Sequence, residues 1–138
     1  MALQKIIVFS LLIGAVSTET LDRCTFIKEL EKVPGLIGSK DYTAGDYVCL
    51  AHYISGYETS LHNSPTAYGI LQINSEWCDD SSNNWCGIQC KALLDRNIND
   101  DLWCLLRVVQ GPGLEAWSVW REKCKGQDLS QYTDGCNR

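Results

Sequence analysis

The chain has 138 residues, enough for one domain with a buried core and too few for two of ordinary size. Its 12 basic residues face 17 acidic ones, a net charge of −5, so the surface as a whole does not attract nucleic acid, anionic membranes or anionic cell walls. An even count of 8 cysteines in so short a chain points to disulfides formed in an oxidising compartment, not to zinc thiolates.

In chain order, residues 1–17 read as a signal peptide. Lys5 supplies the positive start, Ile6 through Val16 the apolar run, and Ala15-Val16-Ser17 a small-residue cleavage site. The run is too short to cross a bilayer and no later stretch is apolar for long enough, so the expected product is secreted, with no membrane span. Losing Lys5 leaves 11 basic against 17 acidic residues, a net charge of −6. Residues 18–138 then read as a single domain. A first helix is expected over residues 21–32, where Cys24, Ile27, Leu30 and Glu31 keep helical spacing and Pro34-Gly35 ends it. Thr43-Ala44-Gly45-Asp46 is a capping box, and the helix it opens runs through Tyr47, Val48, Leu50, Ala51 and Ile54 until Gly56.

The pattern changes between Gly56 and Cys78. Tyr57, the turn-forming Asn63-Ser64-Pro65 and the apolar stretch from Tyr68 to Asn74 suggest a small antiparallel sheet. Residues 79–84 are polar loop. A third helix should begin near Asn99 with Leu102, Leu105, Leu106 and Val109 on one face, and Gly111-Pro112-Gly113 should break it. A fourth is expected over residues 114–123, carrying Trp117 and Trp120, and the tail after Gly126 is pinned by Cys136. Helices, a short sheet and more helices make an α+β molecule of two lobes with a cleft between them. The helical lobe takes residues 18–55 and 99–138, the β lobe residues 56–98. Spacing alone leaves roughly a hundred cysteine pairings open.

Residues 86–104 read CGIQCKALLDRNINDDLWC, with Leu93 and Asn97-Ile98 at fixed places between three cysteines. With Tyr47-Val48-Cys49, the run from Tyr68 to Ser75, and Ala116-Trp117-Ser118-Val119-Trp120-Arg121 ahead of Cys124, this resembles the C-type lysozyme and α-lactalbumin family over nearly all of the chain after the signal peptide. The resemblance implies the lysozyme-like fold and selects the pairs Cys24–Cys136, Cys49–Cys124, Cys78–Cys90 and Cys86–Cys104.

It also implies where chemistry should sit. Glycoside hydrolysis of this kind uses two carboxyl groups, one held neutral to protonate the leaving oxygen, one charged to stabilise or capture the sugar cation. The family's acid stands five residues after the cysteine matched by Cys49, where this chain has Ile54. Its charged partner stands immediately before the tyrosine matched by Tyr68, where this chain has Ala67. The hairpin between them is a few residues shorter than in typical lysozymes. Glu58 is the one carboxylate between Cys49 and Tyr68 and is read as a solvated surface group. Glu76, Asp79 and Asp80 are read as loop charges or partners for the sheet, and His52 and His62 as ordinary histidines without a metal pattern. The sugar-binding residues match better. Asn74, Trp77 and Ala116 correspond to the family's contacts to an N-acetylated sugar, with Trp117 as the wall beneath. Glu76 stands where family members often carry another tryptophan, and Trp85 is a candidate rim platform. Trp103 and Trp120 are read as core.

Asp95, Asp100 and Asp101 fall on the pattern by which α-lactalbumins and some lysozymes hold calcium, joined there by two main-chain carbonyls, here those of Ala92 and Asn97. An all-oxygen set suits this hard cation. The plainer reading is a capped helix, with Asn99 as cap and Asp100 and Asp101 facing the positive end of the helix dipole; it leaves Asp95 without a role. The sequence therefore reads as a secreted, monomeric, lysozyme-like protein without muramidase activity. Its expected partners are N-acetylglucosamine-containing oligosaccharides, peptidoglycan or chitin fragments, with a role in defence and calcium as structural cofactor. An active lysozyme with a rearranged site, and an α-lactalbumin-like or gamete-surface interaction module, are the alternatives.

Overall fold

Asp22 opens the first helix by accepting hydrogen bonds from the Thr25 N–H and hydroxyl, both at 2.9 Å. This helix, α1 (Arg23–Glu31), buries Phe26, Ile27 and Leu30. The computed structural model that shows it describes residues 19–79 and 84–136. The expected signal peptide, its boundary and Asp80 of the acidic loop lie outside the described residues. The capping box opens α2 (Ala44–Ser55) as expected: Thr43 N–H donates to Asp46 Oδ2 at 2.8 Å and Asp46 N–H to Thr43 Oγ1 at 3.3 Å. Gly56 ends it at φ +59°, left-handed backbone that suits glycine. Tyr47, Val48, Leu50 and Ala51 are fully buried, which makes α2 the central helix.

Two strands, β1 (Ala67–Tyr68) and β2 (Ile73–Asn74), pair antiparallel with Ala67 opposite Asn74 and Tyr68 opposite Ile73. The apolar run from Tyr68 to Asn74 is therefore a hairpin and not one strand. Its turn contains Gly69 at φ +81° and Gln72 at φ +47°. Helix α3 (Asn99–Gln110) buries Leu102, Leu105, Val108 and Val109. Trp103, expected in the core, is 47% exposed, because it shares the outer stripe with Arg107 and Gln110. Asn99 does not cap this helix; its N–H donates to Asn97 Oδ1 at 2.9 Å.

The expected fourth helix is broken. Residues Gly113–Ala116 form a 3-10 turn, Trp117 is extended at φ −103° and ψ 113°, and α4 covers only Ser118–Lys123. The break turns the Trp117 indole inward, where Nε1–H donates to Leu71 O at 2.9 Å. A buried indole N–H requires such an acceptor. Trp120 is core, as expected, at 5% exposure. The four disulfides join Cys24 to Cys136, Cys49 to Cys124, Cys78 to Cys90 and Cys86 to Cys104, the pairing implied by the resemblance. Among the described residues no helix is long and apolar enough to cross a membrane. Helices packed around α2, with a small hairpin beside them, form the α+β, lysozyme-like architecture.

Two glycines separate backbone strain from close packing. Gly35 at φ +80° has nothing within 4 Å of where a Cβ would stand, whereas at Gly69, φ +81°, a Cβ would lie 2.2 Å from Leu93 O and 2.6 Å from Asp101 Oδ2. Gly35→Ala should cost about 1 kcal/mol, the left-handed penalty alone. Gly69→Ala should cost about 3 kcal/mol or more, because main chain must move. Urea midpoints at unchanged slope measure both; equal losses would show that the hairpin gives way freely.

Candidate functional site: the cleft and the aspartate loop

Helix α2 carries Ile54 one residue before its end. The next residue, Ser55, is buried and its hydroxyl donates to Ile70 O at 2.5 Å, which fixes the helix end against the hairpin turn. Opposite, the side chain of Gln72 donates to the carbonyls of Leu61 and Gly69, both at 2.8 Å. Asn74 closes β2, and its Oδ1 accepts the Glu76 N–H at 3.0 Å, starting the 3-10 turn Ser75–Trp77. On the third side the break at Trp117 presents Ala116 and the indole. Tyr42 holds that break, accepting the Leu114 N–H at 3.0 Å.

These elements surround a cavity of about 200 Å³. Asn74, Trp77, Ala116 and Trp117, which the sequence nominated for sugar binding, all line it, with Ile54, Gln72 and Glu76. Trp117 offers a ring surface and no donor, since its N–H is held by Leu71. Ala67 does not line the cavity; it sits half-buried on the hairpin, its carbonyl 2.9 Å from His62 Nδ1. Glu58 is also absent from the lining; half-buried, it forms a backbone bridge with Thr20.

Glu76 is where the sequence reading fell short. Taken for a loop charge, it is the one carboxylate among the residues lining this cavity, and it is exposed to solvent. The offset from Asn74 through a tight turn could have placed it there. A second hollow of about 360 Å³ shares Trp77 and adds Trp85, Arg107 and Gln110. The indoles of Trp77 and Trp85 lie 6.0 Å apart and are tilted by 56°, and Trp85 is 74% exposed. Trp85 is thus at the rim, while Trp103 is outside both hollows. A wider hollow of about 570 Å³ beside the start of α2 includes none of the nominated residues.

The aspartate loop lies under the hairpin. Asp101 is fully buried, and neither of its carboxylate oxygens receives a hydrogen bond from a described residue. Burial, then the neighbouring Asp100, then Asp95 push its carboxyl up to about 10. Asp100 is raised too, by burial and by Asp95, while its Oδ1 accepts the Asp101 N–H at 3.0 Å. Ala92 is half-buried within the 3-10 turn Cys90–Leu94, and Asp95 and Asn97 are exposed on the chain leaving it. Among the described residues no three His, Cys, Asp or Glu side chains are gathered into a metal-holding group. The donor set nevertheless fits a hard cation in chemistry: oxygen atoms only, and a buried carboxylate without a donor.

Comparison with known proteins agrees with this architecture. The model of the C-type lysozyme/alpha-lactalbumin family matches residues 19–136. Sperm acrosome-associated protein 5 of Mus musculus is 41% identical over 141 residues, covering 96% of this chain and 88% of that protein. Lysozyme C-2 of Sus scrofa is 40% identical over 145 residues, covering 97% and 99%. Lysozyme C of Bufo gargarizans andrewsi is 44% identical over 126 residues, covering 83% and 86%. With one fold, one set of disulfides and a match along nearly the whole described chain, the protein belongs to the C-type lysozyme/alpha-lactalbumin family.

Proposed function

We propose that this is a secreted saccharide-binding protein of the lysozyme fold that does not hydrolyse what it binds, its ligands being glycans that contain N-acetylglucosamine. One observation carries the reading: Asn74, Trp77, Ala116 and Trp117 share a cavity in which Ile54 stands at the family's acid position. An aromatic wall suits the C–H face of a pyranose, and Asn74 and Trp77 supply directional polar groups. Hydrolysis needs two carboxyl groups across the bond, one of them held neutral. Ile54 and Ala67 offer neither, and solvated Glu76 is a single carboxylate. Binding therefore persists where transition-state stabilisation is lost.

A second reading, a gamete-surface interaction protein, draws on the names of the sperm acrosome-associated relatives and on the exposed indoles of Trp85 and Trp103. Chitotriose should quench or shift tryptophan fluorescence with a dissociation constant in the micromolar to millimolar range, about −8 to −4 kcal/mol. Trp77→Ala should weaken binding about tenfold or more. No response at millimolar sugar would favour the second reading.

The protein should not clear a bacterial cell-wall suspension above a buffer control. Clearance by the unmodified chain that disappears in Glu76→Gln would establish a rearranged active site instead.

In the aspartate loop, Asp95, Asp100 and Asp101, with the carbonyls of Ala92 and Asn97, are proposed to hold calcium, which when bound supplies a positive charge beside the buried carboxylate. A cation bound only by the native state adds about 2.7 kcal/mol at a hundredfold excess over its dissociation constant. Chelation should then lower the melting temperature on the order of 5–10 °C, and Asp101→Asn should remove the response. Metal-free protein adds a test with a defined sign. Its folded state keeps a proton on Asp101 up to about pH 10 that the unfolded chain releases near its usual value of 3.8. That contribution is complete below 3.8 and is lost as pH rises toward 10. Asp101→Asn should flatten this decline; an unchanged melting temperature on chelation of metal-loaded protein would leave Asp100 and Asp101 only their place in the first turn of α3.

A further inference from the structure

The geometry points to a second saccharide site, away from the cleft, that takes a neutral pyranose on the outer face of α2. Four aromatic rings meet there. His52 is the hub, its ring centroid 4.8 Å from Tyr53 at 86°, 5.7 Å from Tyr132 at 51° and 6.1 Å from Tyr57 at 52°. Together with Gln131, they line a cavity of about 460 Å³, within the size range of small-ligand pockets. Tyr53 is 45% exposed, so a large aromatic surface faces solvent. None of the residues lining this cavity lines the cleft. Tyr53 and Ile54 are consecutive on one helix, where successive side chains diverge by about 100°, so Ile54 faces the cleft while Tyr53 faces away.

The charged groups at the rim are already committed to the fold. Asp22 accepts both Thr25 donors. The guanidinium of Arg23 donates to the carbonyls of Tyr132 and Asp134 and to Cys136 Sγ. No described residue hydrogen-bonds the His52 ring nitrogens or the Gln131 amide, and the Lys123 ammonium stands 5.8 Å from the Tyr53 ring centroid. What remains for a ligand is therefore aromatic surface bordered by an imidazole and a carboxamide, the ammonium being already engaged with a ring. An apolar ligand would strand those polar groups. A pyranose satisfies both kinds of surface, with C–H groups against the rings and hydroxyls toward Gln131 and His52. The site stands without the cleft reading. If both hold, one molecule has two saccharide sites facing different ways and can bridge two glycan chains.

The test uses the intact disulfide-bonded protein and the methyl glycosides of N-acetylglucosamine, galactose and mannose, followed by amide and side-chain NMR. At least one glycoside should shift Tyr53, Tyr57 and Tyr132 together. Tyr53→Ala and, independently, Gln131→Ala should each weaken that binding about tenfold. Both residues are exposed, so folding should survive. Trp77→Ala should leave this response intact, and Tyr53→Ala should leave the chitotriose response of the cleft intact. Silence from all three sugars at millimolar concentration overturns the proposal. So does a response undiminished by Tyr53→Ala, or a preference for tetramethylammonium over every sugar, which would make the cluster a cage for organic cations.

Discussion

The carbonyls of Ile70 and Leu71 lie in a turn whose two side chains are fully buried, so water cannot satisfy them cheaply. The protein bonds them from opposite sides. Ser55, at the end of α2, takes Ile70 O, and Trp117, at the break before α4, takes Leu71 O. Two consecutive carbonyls thus fix the hairpin to both walls of the cleft. The position of Ile54, one residue before Ser55, and of Ala116, one before Trp117, follows from those bonds. Loss of either donor would leave a buried acceptor unpaired, at about 1–3 kcal/mol. The disulfide from Cys49 to Cys124 joins the same two walls further back.

The electrostatics of the molecule are centred elsewhere. A lysozyme cleft needs a carboxyl held neutral by burial. Here the strongly raised carboxyl is Asp101, beneath Gly69 and outside the cleft. A perturbed group often marks an active site, but Asp101 lines none of the four hollows described above. Its surroundings are main chain and other carboxylates, which suits a structural cation and not proton transfer to a substrate. The cleft itself holds one solvated carboxylate among its described lining residues, Glu76, whose charge disfavours acidic saccharides modestly.

Much of this was legible in the chain. Caps are local chemistry, so Thr43, Asp46 and Gly56 bounded α2 without reference to the rest of the fold. The cysteine pairing came from resemblance and not from spacing. Four features escaped for identifiable reasons. Trp103 was read as core, although its spacing of four from Arg107 placed it on the polar stripe of α3. The break at Trp117 depends on a hydrogen bond to a residue 46 positions away, which no local pattern reports. Glu76 enters the cleft through a 3-10 turn started by the Asn74 side chain, a device visible in sequence only as an asparagine two residues earlier. The tyrosine cluster around His52 draws Tyr132 from the tail to α2, again a tertiary event.

On the proposed reading, binding and cutting separate because they draw on different parts of this architecture. Ring surface and main-chain polar groups are held by the buried turn, the crosslinks and the core, none of which requires a carboxylate at Ile54 or Ala67. An apolar Ile54 carries no hydration shell to strip when a ligand enters, whereas a charged acid there would oppose entry until it was neutralised or paired. The same frame that would position a catalytic pair would therefore serve the proposed binding role without change. Chemistry alone needs the two carboxyl groups whose family positions are taken here by Ile54 and Ala67.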